Sequence, residues 1–311
     1  MQVLANLSLQ KKSGENLASR LIELKKQMNA TIPAHYYQRD EVKFVADFIG
    51  DSLELSRRCR ETDADVILFA GVRFMAETAK ILNPKKTVLI SSLEAGCSLA
   101  DSITAEDLKS LKRKYPEAAV VAYVNTSAEV KAEADVCCTS ANYLKIIESL
   151  PQKEIIFVPD IYMAKNISGK TKKKIISWNG ECIVHKNFSP EQVGIFKENI
   201  PDVKVLVHIE CPPKVVGNAD FAGSTSGMRK FISSSEAKQF LVLTECGMLP
   251  TLEKEFPERE FYTPCTICPY MKKITLEGLV WSLENRKFEI KIPEDIRVRA
   301  HKALERMLEY G

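Results

Sequence analysis

The sequence of 311 residues lacks the features that would assign it to several common classes of protein. No run approaches the ~18 apolar residues of a membrane span, which excludes a transmembrane helix. Residues 1–28 mix lysine, glutamate and apolar residues without the apolar core of a signal peptide, so we expect a cytoplasmic protein. The formal net charge is only +3, which argues against a protein whose main role is nucleic-acid binding.

Several nucleotide- and metal-binding motifs are missing as well. The chain contains no G-x-G-x-x-G fingerprint and no H-E-x-x-H zinc motif. Gly169-Lys170-Thr171 is similar to the end of a P-loop, but Ala164 stands where that motif requires glycine. Structural zinc usually shows paired C-x-x-C knuckles, and only Cys265 and Cys268 have that spacing. With 45% apolar and 27% charged residues, the composition is that of an ordinary globular protein.

Nine cysteines are present, and three of them recur at a regular interval. Without a signal peptide, nine thiols indicate a reducing compartment, so we expect no structural disulfide. Cys97, Cys182 and Cys268 are separated by 85 and 86 residues. Each is followed seven residues later by Ser or Thr and two residues after that by Glu, a pattern that predicts a helix N-cap. These pairs are Thr104 and Glu106, Ser189 and Glu191, and Thr275 and Glu277.

Other landmarks keep nearly the same register as the cysteines. Short runs rich in Val and Ile alternate with helical patterns, which indicates βα units and parallel sheets. Polar residues at strand ends, pairs that contain hydroxyls, and methionines each recur after 88 and then 85 residues. The three sets are His35, Tyr123 and His208; Asp51-Ser52, Thr139-Ser140 and Ser224-Thr225; and Met75, Met163 and Met248.

These registers predict an α/β fold with three repeats around a pseudo-threefold axis. We expect a βαβαβα unit in residues 30–116, 117–201 and 202–287, with helical flanks in 1–29 and 288–311. The third strand of each unit would lead by a short loop to its cysteine. Ligands gather at the carboxyl ends of strands in open α/β units, so strand-end residues and cysteines should face one central cavity.

Three equivalent thiolates would leave one coordination position of a metal centre open. Iron–sulfur clusters for electron transfer normally have four thiolates, so three suggest an iron that binds substrate as a Lewis acid. Zinc with three cysteines and a water is an alternative, as is a redox pair of Cys265 and Cys268. Simple core packing is a further interpretation, which we retain for Cys59, Cys137, Cys138, Cys211 and Cys246.

The strand-end residues are candidates for acid–base chemistry. Glu210 lies beside His208 and is the natural general acid or base, and His35 stands at the equivalent position of the first repeat. Tyr37 and Tyr123 would donate hydrogen bonds or protons, or would pack. Hydroxyls at predicted helix starts would bind phosphate or carboxylate, or would act as plain N-caps. These hydroxyls are Ser52, Ser140, Ser224 and Thr225.

Motifs from Ala34 to Lys273 together resemble the quinolinate synthase family. They include Ala34-His35-Tyr36-Tyr37-Gln38, Gly50-Asp51-Ser52-Leu53, Gly71–Glu77, Leu82-Asn83-Pro84, Tyr123–Ser127, Cys138–Asn142, Asn179–His185, His208–Pro212 and Gly223-Ser224-Thr225. The resemblance implies a triangular molecule of three three-layer α/β/α domains with one [4Fe–4S] cluster. It places the cluster ligands at Cys97, Cys182 and Cys268, because Cys268 precedes Pro269-Tyr270-Met271 as the third family ligand does.

The same resemblance implies the reaction and the residues that serve it. Iminoaspartate and dihydroxyacetone phosphate would condense to quinolinate, a precursor of NAD, with loss of phosphate and two waters. We expect an aspartate oxidase or aspartate dehydrogenase to supply the imine, and a monomer or homodimer. Some members have Asn at position 36, which should not matter if Tyr36 points away from the cavity. The implied site residues are His35, Tyr37, Ser52, Tyr123, Asn125, Ser140, His208, Glu210, Ser224 and Thr225.

Overall fold

The computed structural model describes residues 2–310, with side chains placed from residue 16 onward. Met1 and Gly311, the outer ends of the two predicted flanks, lie outside the described residues. The protein is of the α/β class and its named strands pair in parallel, as predicted.

The first sheet is built around a strand that is interrupted at one residue. Ile32 separates β1 (Ala30–Thr31) from β2 (Pro33–His35). A parallel bridge between Ala34 and Ala70 continues the pairing of this interrupted strand with β4 (Val66–Phe69). The order across the sheet is therefore β3, β1 with β2, β4 and β5. The five strands are β1 (Ala30–Thr31), β2 (Pro33–His35), β3 (Phe48–Gly50), β4 (Val66–Phe69) and β5 (Thr87–Ile90).

The second and third sheets have the same topology as the first. Their orders are β7-β6-β8-β9 and β11-β10-β12-β13, so the first strand of each repeat is central. The second sheet contains β6 (Ala119–Tyr123), β7 (Val136–Cys138), β8 (Glu154–Val158) and β9 (Lys174–Ser177). The third contains β10 (Lys204–His208), β11 (Phe221–Gly223), β12 (Gln239–Leu243) and β13 (Glu260–Tyr262).

Each repeat has one strand more than the βαβαβα prediction allowed. The additional strands β3, β7 and β11 are only three residues long and lie directly before the hydroxyl-containing pairs. A three-residue strand is too short to show alternation or an apolar run in the sequence, so the prediction of three strands was wrong. The residues at which one repeat passes into the next stay a prediction.

Fourteen helices surround the sheets in residues 2–310. Those of the first repeat and its flank are α1 (Gln2–Gln27), α2 (Asp40–Val45), α3 (Ser52–Glu61), α4 (Arg73–Leu82) and α5 (Ala105–Lys114). The middle of the chain forms α6 (Ala128–Ala132), α7 (Tyr143–Ser149), α8 (Ile161–Ser168) and α9 (Pro190–Asn199). The remainder forms α10 (Pro213–Val216), α11 (Thr225–Ser234), α12 (Leu249–Glu255), α13 (Leu276–Asn285) and α14 (Glu294–Glu309).

The three N-caps predicted after the cysteines are confirmed. Thr104, Ser189 and Thr275 are the N-caps of α5, α9 and α13. Each hydroxyl accepts a backbone N–H from the third residue of its helix, which satisfies a donor that the helix itself leaves free. The same helix therefore begins at the same distance after each cysteine.

The central strands are buried beneath helices. All residues of β4 and β6 are buried, as expected for parallel strands that are covered on both faces. The flanking helices complete this cover, since α1 packs against α13 while α14 packs against α4, α6 and β7. No helix within residues 2–310 is both long enough and apolar enough to cross a membrane.

Candidate active site

A central cavity lies where the carboxyl ends of the three sheets meet. The central strands β2, β6 and β10 end at this cavity, which is the edge where open parallel sheets place their ligands. Most of the predicted site residues line it together. They are His35, Tyr37, Ser52, Cys97, Tyr123, Asn125, Ser140, Cys182, His208, Glu210, Thr225 and Cys268.

The three cysteines occupy loops of the same local shape. In each loop the carbonyl of the cysteine accepts the N–H of the residue four positions on, at 2.9 Å for Cys97, 3.1 Å for Cys182 and 3.3 Å for Cys268. The sulfur of each also receives the backbone N–H groups of the residues two and three positions on. Backbone donors directed at sulfur favour a thiolate. The repeated sequence pattern therefore produces a repeated sulfur site.

Burial is the main influence on the pKa of these three thiols. Burial raises the pKa of the Cys97 thiol to about 12 and raises the pKa of Cys182 and of Cys268 above the usual value. Three such thiols stay protonated at neutral pH, and a bound metal would replace their protons. Their convergence on one cavity fits a metal group, because thiolates select zinc, copper(I) and iron–sulfur clusters.

The spacing of the ligand atoms distinguishes among these metals. Within residues 16–310, the one group of three ligand atoms that lie mutually within 4.8 Å is that of Cys182, His185 and Glu210. The three cysteine sulfurs therefore do not all lie that close together. Three sulfurs on one zinc ion, with bonds of about 2.3 Å, would be about 3.8 Å apart. The three sulfurs are therefore too widely spaced to bind one zinc ion together.

Cys265 is paired with a different partner from the one that we considered. A disulfide joins Cys246 to Cys265, with 5.0 Å between their Cα atoms, so the expected absence of disulfides was wrong. The alternative of a Cys265–Cys268 redox pair is not favoured, because Cys265 is bonded to Cys246. The end of β12 runs beside the third cysteine loop, where Glu245 and Thr266 form a parallel bridge. Cys246 is therefore not simply a packing residue. The four other cysteines assigned to packing, Cys59, Cys137, Cys138 and Cys211, are buried in the core.

Glu210 is the centre of a buried hydrogen-bond network. Its Oε1 accepts the hydroxyl of Tyr123 at 2.5 Å and lies 3.4 Å from the amide nitrogen of Asn125. Its Oε2 lies 2.7 Å from Nδ1 of His185. Burial opposes ionisation, but the adjacent imidazoles of His208 and His185 and the hydrogen bonds from His185 and Tyr123 hold the pKa of Glu210 below its usual range. The side chain is thus a carboxylate with two strong donors.

The network continues from His185 to Tyr37. Thr244 is fully buried, and its hydroxyl lies 3.0 Å from Nε2 of His185 and 2.6 Å from the hydroxyl of Tyr37. Burial raises the pKa of both Tyr37 and Tyr123 well above the usual value, so both phenols keep their protons at neutral pH. A continuous chain of hydrogen bonds therefore joins two tyrosines through one carboxylate.

The two histidines at strand ends are neutral. Burial is the main cause that lowers the pKa of His35 and of His208 to about 3. The ring of His208 stacks on that of His185, with 4.4 Å between the ring centroids. A neutral imidazole has one N–H and one unprotonated nitrogen, so each ring can donate one hydrogen bond and accept another.

The predicted hydroxyls fall into two groups. Ser52, Ser140 and Thr225 line the cavity, and Ser52 and Thr225 are the first residues of α3 and α11, where a hydroxyl and the backbone N–H groups that the N-caps leave unpaired suit an anion. Ser224 is not among the lining residues. Its hydroxyl accepts the N–H of Gly227 at 3.0 Å and acts as the N-cap of α11. The structure therefore brings three of the four hydroxyls into the cavity.

Sequence reasoning missed three important residues of the site. His185 lies three residues after Cys182, but nothing in the sequence indicates the bond to Glu210 that makes it central. Thr244 and Glu245 follow β12, and no local pattern distinguishes them from other strand-end residues. The Cys-x-x-His spacing is the one available signal, because it places an imidazole on the loop that carries a candidate metal ligand.

Fold and site together define the class of the protein. It is an α/β enzyme whose candidate active-site cavity combines a cysteine-lined candidate metal centre with a carboxylate, neutral imidazoles and two helix starts.

Residues 19–309 match the family described as Quinolinate synthetase A protein. The chain is 52% identical to quinolinate synthase 2 of Mesorhizobium japonicum over 289 residues, which are 93% of this chain and 89% of the relative. It is 49% identical to the quinolinate synthase of Thermodesulfovibrio yellowstonii, over 93% of this chain and 96% of the relative. Quinolinate synthase 1 of Methanosarcina acetivorans is 47% identical, with 94% and 97% covered. The chain therefore belongs to the quinolinate synthetase A family, which confirms the resemblance.

Proposed function

We propose that this protein is a quinolinate synthase, which condenses iminoaspartate with dihydroxyacetone phosphate to give quinolinate, phosphate and two water molecules. The observation that carries the proposal is the convergence of three equivalent cysteine loops on a cavity that also holds the Glu210 network. Family membership supports the choice of reaction, since relatives of that name match over 93% of this chain.

Cys97, Cys182 and Cys268 are the proposed ligands of a [4Fe–4S] cluster, one from each repeat. Their backbone N–H donors and the wide spacing of their sulfurs support a cluster rather than a single ion. Three protein ligands for four irons leave one iron open to substrate. When bound, the cluster supplies a Lewis acid that assists the loss of water.

Glu210 is the proposed general base. Carbon–carbon bond formation requires removal of a proton beside a carbonyl or imine group, and a carboxylate held ionised in a buried site can accept it. Tyr123 and His185 orient the two carboxylate oxygens. Tyr37, which keeps its proton, is the proposed donor to a developing oxyanion or leaving hydroxyl, and His35 and His208 take part as neutral imidazoles.

Substrate binding is assigned to the hydroxyls and to two residues at the end of the second repeat's central strand. Ser52, Ser140 and Thr225 would hold the phosphate and carboxylate groups, with Ser224 supporting the start of α11. Tyr123 and Asn125 would bind the polar groups nearest Glu210. The Oδ1 atom of Asn125 is buried and has no hydrogen-bond partner within residues 16–310, which supports a role in accepting a substrate N–H or O–H.

The direct test is product formation. Protein purified without oxygen and supplied with dihydroxyacetone phosphate and freshly generated iminoaspartate should form quinolinate and phosphate in equal amounts, as measured by mass spectrometry and phosphate assay. Reactions that omit either substrate are the controls. Iron-loaded protein that forms no quinolinate would contradict the proposal, and so would a colourless protein with one zinc per chain.

The cellular context is also a proposal. We place the enzyme in the cytoplasm as a monomer or homodimer that receives iminoaspartate from an aspartate oxidase or aspartate dehydrogenase. Because an imine hydrolyses in water, the supplying reaction must deliver it quickly. Sedimentation of the iron-loaded protein separates monomer from homodimer.

A further inference from the structure

Two cavity-lining helix starts belong to different repeats and are joined directly. Ser52 begins α3 in the first repeat and Thr225 begins α11 in the third. The hydroxyl of Ser226 donates to Oδ2 of Asp51 at 2.5 Å. Oδ1 of Asp51 accepts the N–H groups of Leu53 and Glu54, each at 3.0 Å, so this buried carboxylate both caps α3 and holds α11. The distance between the two anion-binding helix starts therefore depends on contacts across this seam.

A second set of contacts crosses the same seam farther from the cavity. Tyr36 is only 2% exposed and does not line the cavity, although its neighbours His35 and Tyr37 do. Its hydroxyl donates to Oε2 of Glu54 at 3.0 Å and accepts a hydrogen bond from the guanidinium of Arg229. The same oxygen of Glu54 accepts the N–H of Asp51 at 3.0 Å, which connects the outer contacts to the inner ones.

Arg229 is held on its other side as well. Its Nε and Nη2 atoms donate to the two oxygens of Glu255, at 2.7 and 2.8 Å, in the bidentate geometry that gives arginine its directional strength. Its guanidinium carbon also lies 5.4 Å from the centroid of the Tyr36 ring. Arg229 is one helical turn beyond Thr225, so its contacts with Tyr36 hold the first turns of α11 against the first repeat.

We propose that Arg229 is a positioning residue: by linking Tyr36 of the first repeat to Glu255 of the third, it sets the separation of Ser52 and Thr225 and hence the affinity for the anionic substrate. The inference rests on the proposed function, since that function assigns an anionic group to these helix starts. Position 36 therefore matters through its hydroxyl although it does not line the cavity. The proposal gives Arg229 no contact with substrate.

The experiment compares Arg229→Gln and Tyr36→Phe with Arg297→Gln. Arg297 makes a similar two-point contact with Glu294, at 2.7 and 2.6 Å, but within α14 and away from the seam. Binding of dihydroxyacetone phosphate to iron-loaded protein is measured by titration calorimetry, and turnover is measured in parallel. We expect Arg229→Gln to weaken binding and raise KM by ~10-fold with kcat within about twofold, since a charged, directional contact is lost.

Tyr36→Phe removes one hydroxyl from a buried ring, so it tests the same link if Arg229→Gln does not fold. It should weaken binding by ~3-fold or more, whereas Arg297→Gln should leave binding unchanged within about twofold. Unchanged binding in both seam variants of an active enzyme would overturn the positioning role and leave the proposed function intact. Weaker binding confined to the seam variants, without quinolinate from any protein, would support positioning and overturn the function.

Discussion

The second and third cysteine loops occupy equivalent places but are held in different ways. In the third loop, Oε1 of the buried Glu245 accepts the N–H of Cys268 at 3.1 Å and lies 2.9 Å from the ammonium of Lys272. Its Oε2 accepts the N–H of Gly247 at 2.7 Å. The disulfide from Cys246 ties the same loop three residues before its cysteine.

The corresponding carboxylate of the second repeat makes no such contact with its loop. Asp160 stands 85 residues before Glu245, and its Oδ1 accepts the N–H of Met163 at 2.7 Å. Its Oδ2 is buried and has no hydrogen-bond partner within residues 16–310. Instead, the second loop contacts Glu210 through His185. Nδ1 of His185 lies 3.3 Å from the sulfur of Cys182 and 2.7 Å from Oε2 of Glu210.

The same position of two repeats therefore has two different sets of contacts. Both loops present a sulfur with the same backbone donors, so the proposed metal-ligand role is shared. The third loop is anchored by a carboxylate, an ammonium and a disulfide, which would hold Cys268 in place. The second loop places its histidine between the proposed metal ligand Cys182 and the proposed general base Glu210.

The largest expected effect is the loss of iron when any one of the three loop cysteines is replaced. Cys97→Ala, Cys182→Ala and Cys268→Ala should each reduce bound iron from about four atoms per chain to nearly none, because two thiolates cannot hold a cluster. Iron and sulfide assays of protein purified without oxygen measure this. Cys59→Ala, which removes a core thiol, should retain the iron. Full iron content in any of the three ligand variants would refute its assignment.

The next largest effect is a loss of turnover on replacing Glu210, which His185 connects to the second loop. Glu210→Gln should retain iron but reduce turnover by ~10²-fold or more, since an amide cannot accept the proton that a general base removes. Steady-state quinolinate formation at matched iron content measures the loss. Turnover within a few-fold of wild type would rule out the acid–base role of Glu210.

A pH effect on stability should follow from the neutral histidines. Their folded-state pKa values of about 3 lie below the ordinary value of 6.5, so the unfolded chain binds more protons between these limits. The free energy of unfolding should therefore fall as the pH drops from about 6.5 towards 3, by up to about 1.4 kcal/mol per pH unit for each histidine. Urea unfolding of wild type and His208→Gln at pH 7, 6 and 5 measures the slope. An unchanged slope in the variant would contradict a buried neutral His208.

The smallest effect tests the anchoring of the third loop against the second. Glu245→Gln removes the charge that pairs with Lys272, so iron should be lost to a chelator ~3-fold faster, while turnover per bound iron stays within about twofold. Asp160→Asn is the matched control. Burial raises the pKa of Asp160 well above its usual value, and its Oδ2 has no hydrogen-bond partner within residues 16–310, so the amide should leave iron loss unchanged. Equal rates of iron loss from Glu245→Gln and Asp160→Asn would contradict the proposed anchoring of the third loop by Glu245.

Much of the site was predictable because it repeats along the chain. The register of Cys97, Cys182 and Cys268 with three N-caps placed each sulfur at the same point of a repeat, and the structure confirms the caps. The strand-end residues His35 and Glu210 were identified by the same register and line one cavity. Local signals suffice here, because a cap or a buried strand depends on residues only a few positions apart.

The unpredicted features depend on elements that are distant in sequence. The Cys246–Cys265 disulfide depends on a strand end lying beside a loop 19 residues away, and the bond from Tyr37 to Thr244 spans 207 residues. The three-residue strands β3, β7 and β11 form because the neighbouring central strands supply their partners. Propensity within three residues is too weak to specify such pairing.

The recurrence of one thiol at the same position of three repeats can be read from the amino-acid sequence alone, because spacing and helix caps are local features. The pairing of Cys246 with Cys265, the contact of His185 with Glu210 and the anchoring of the third loop by Glu245 depend on the folded chain. These contacts join residues that are distant in sequence, and the distances between their atoms depend on how whole sheets and helices pack.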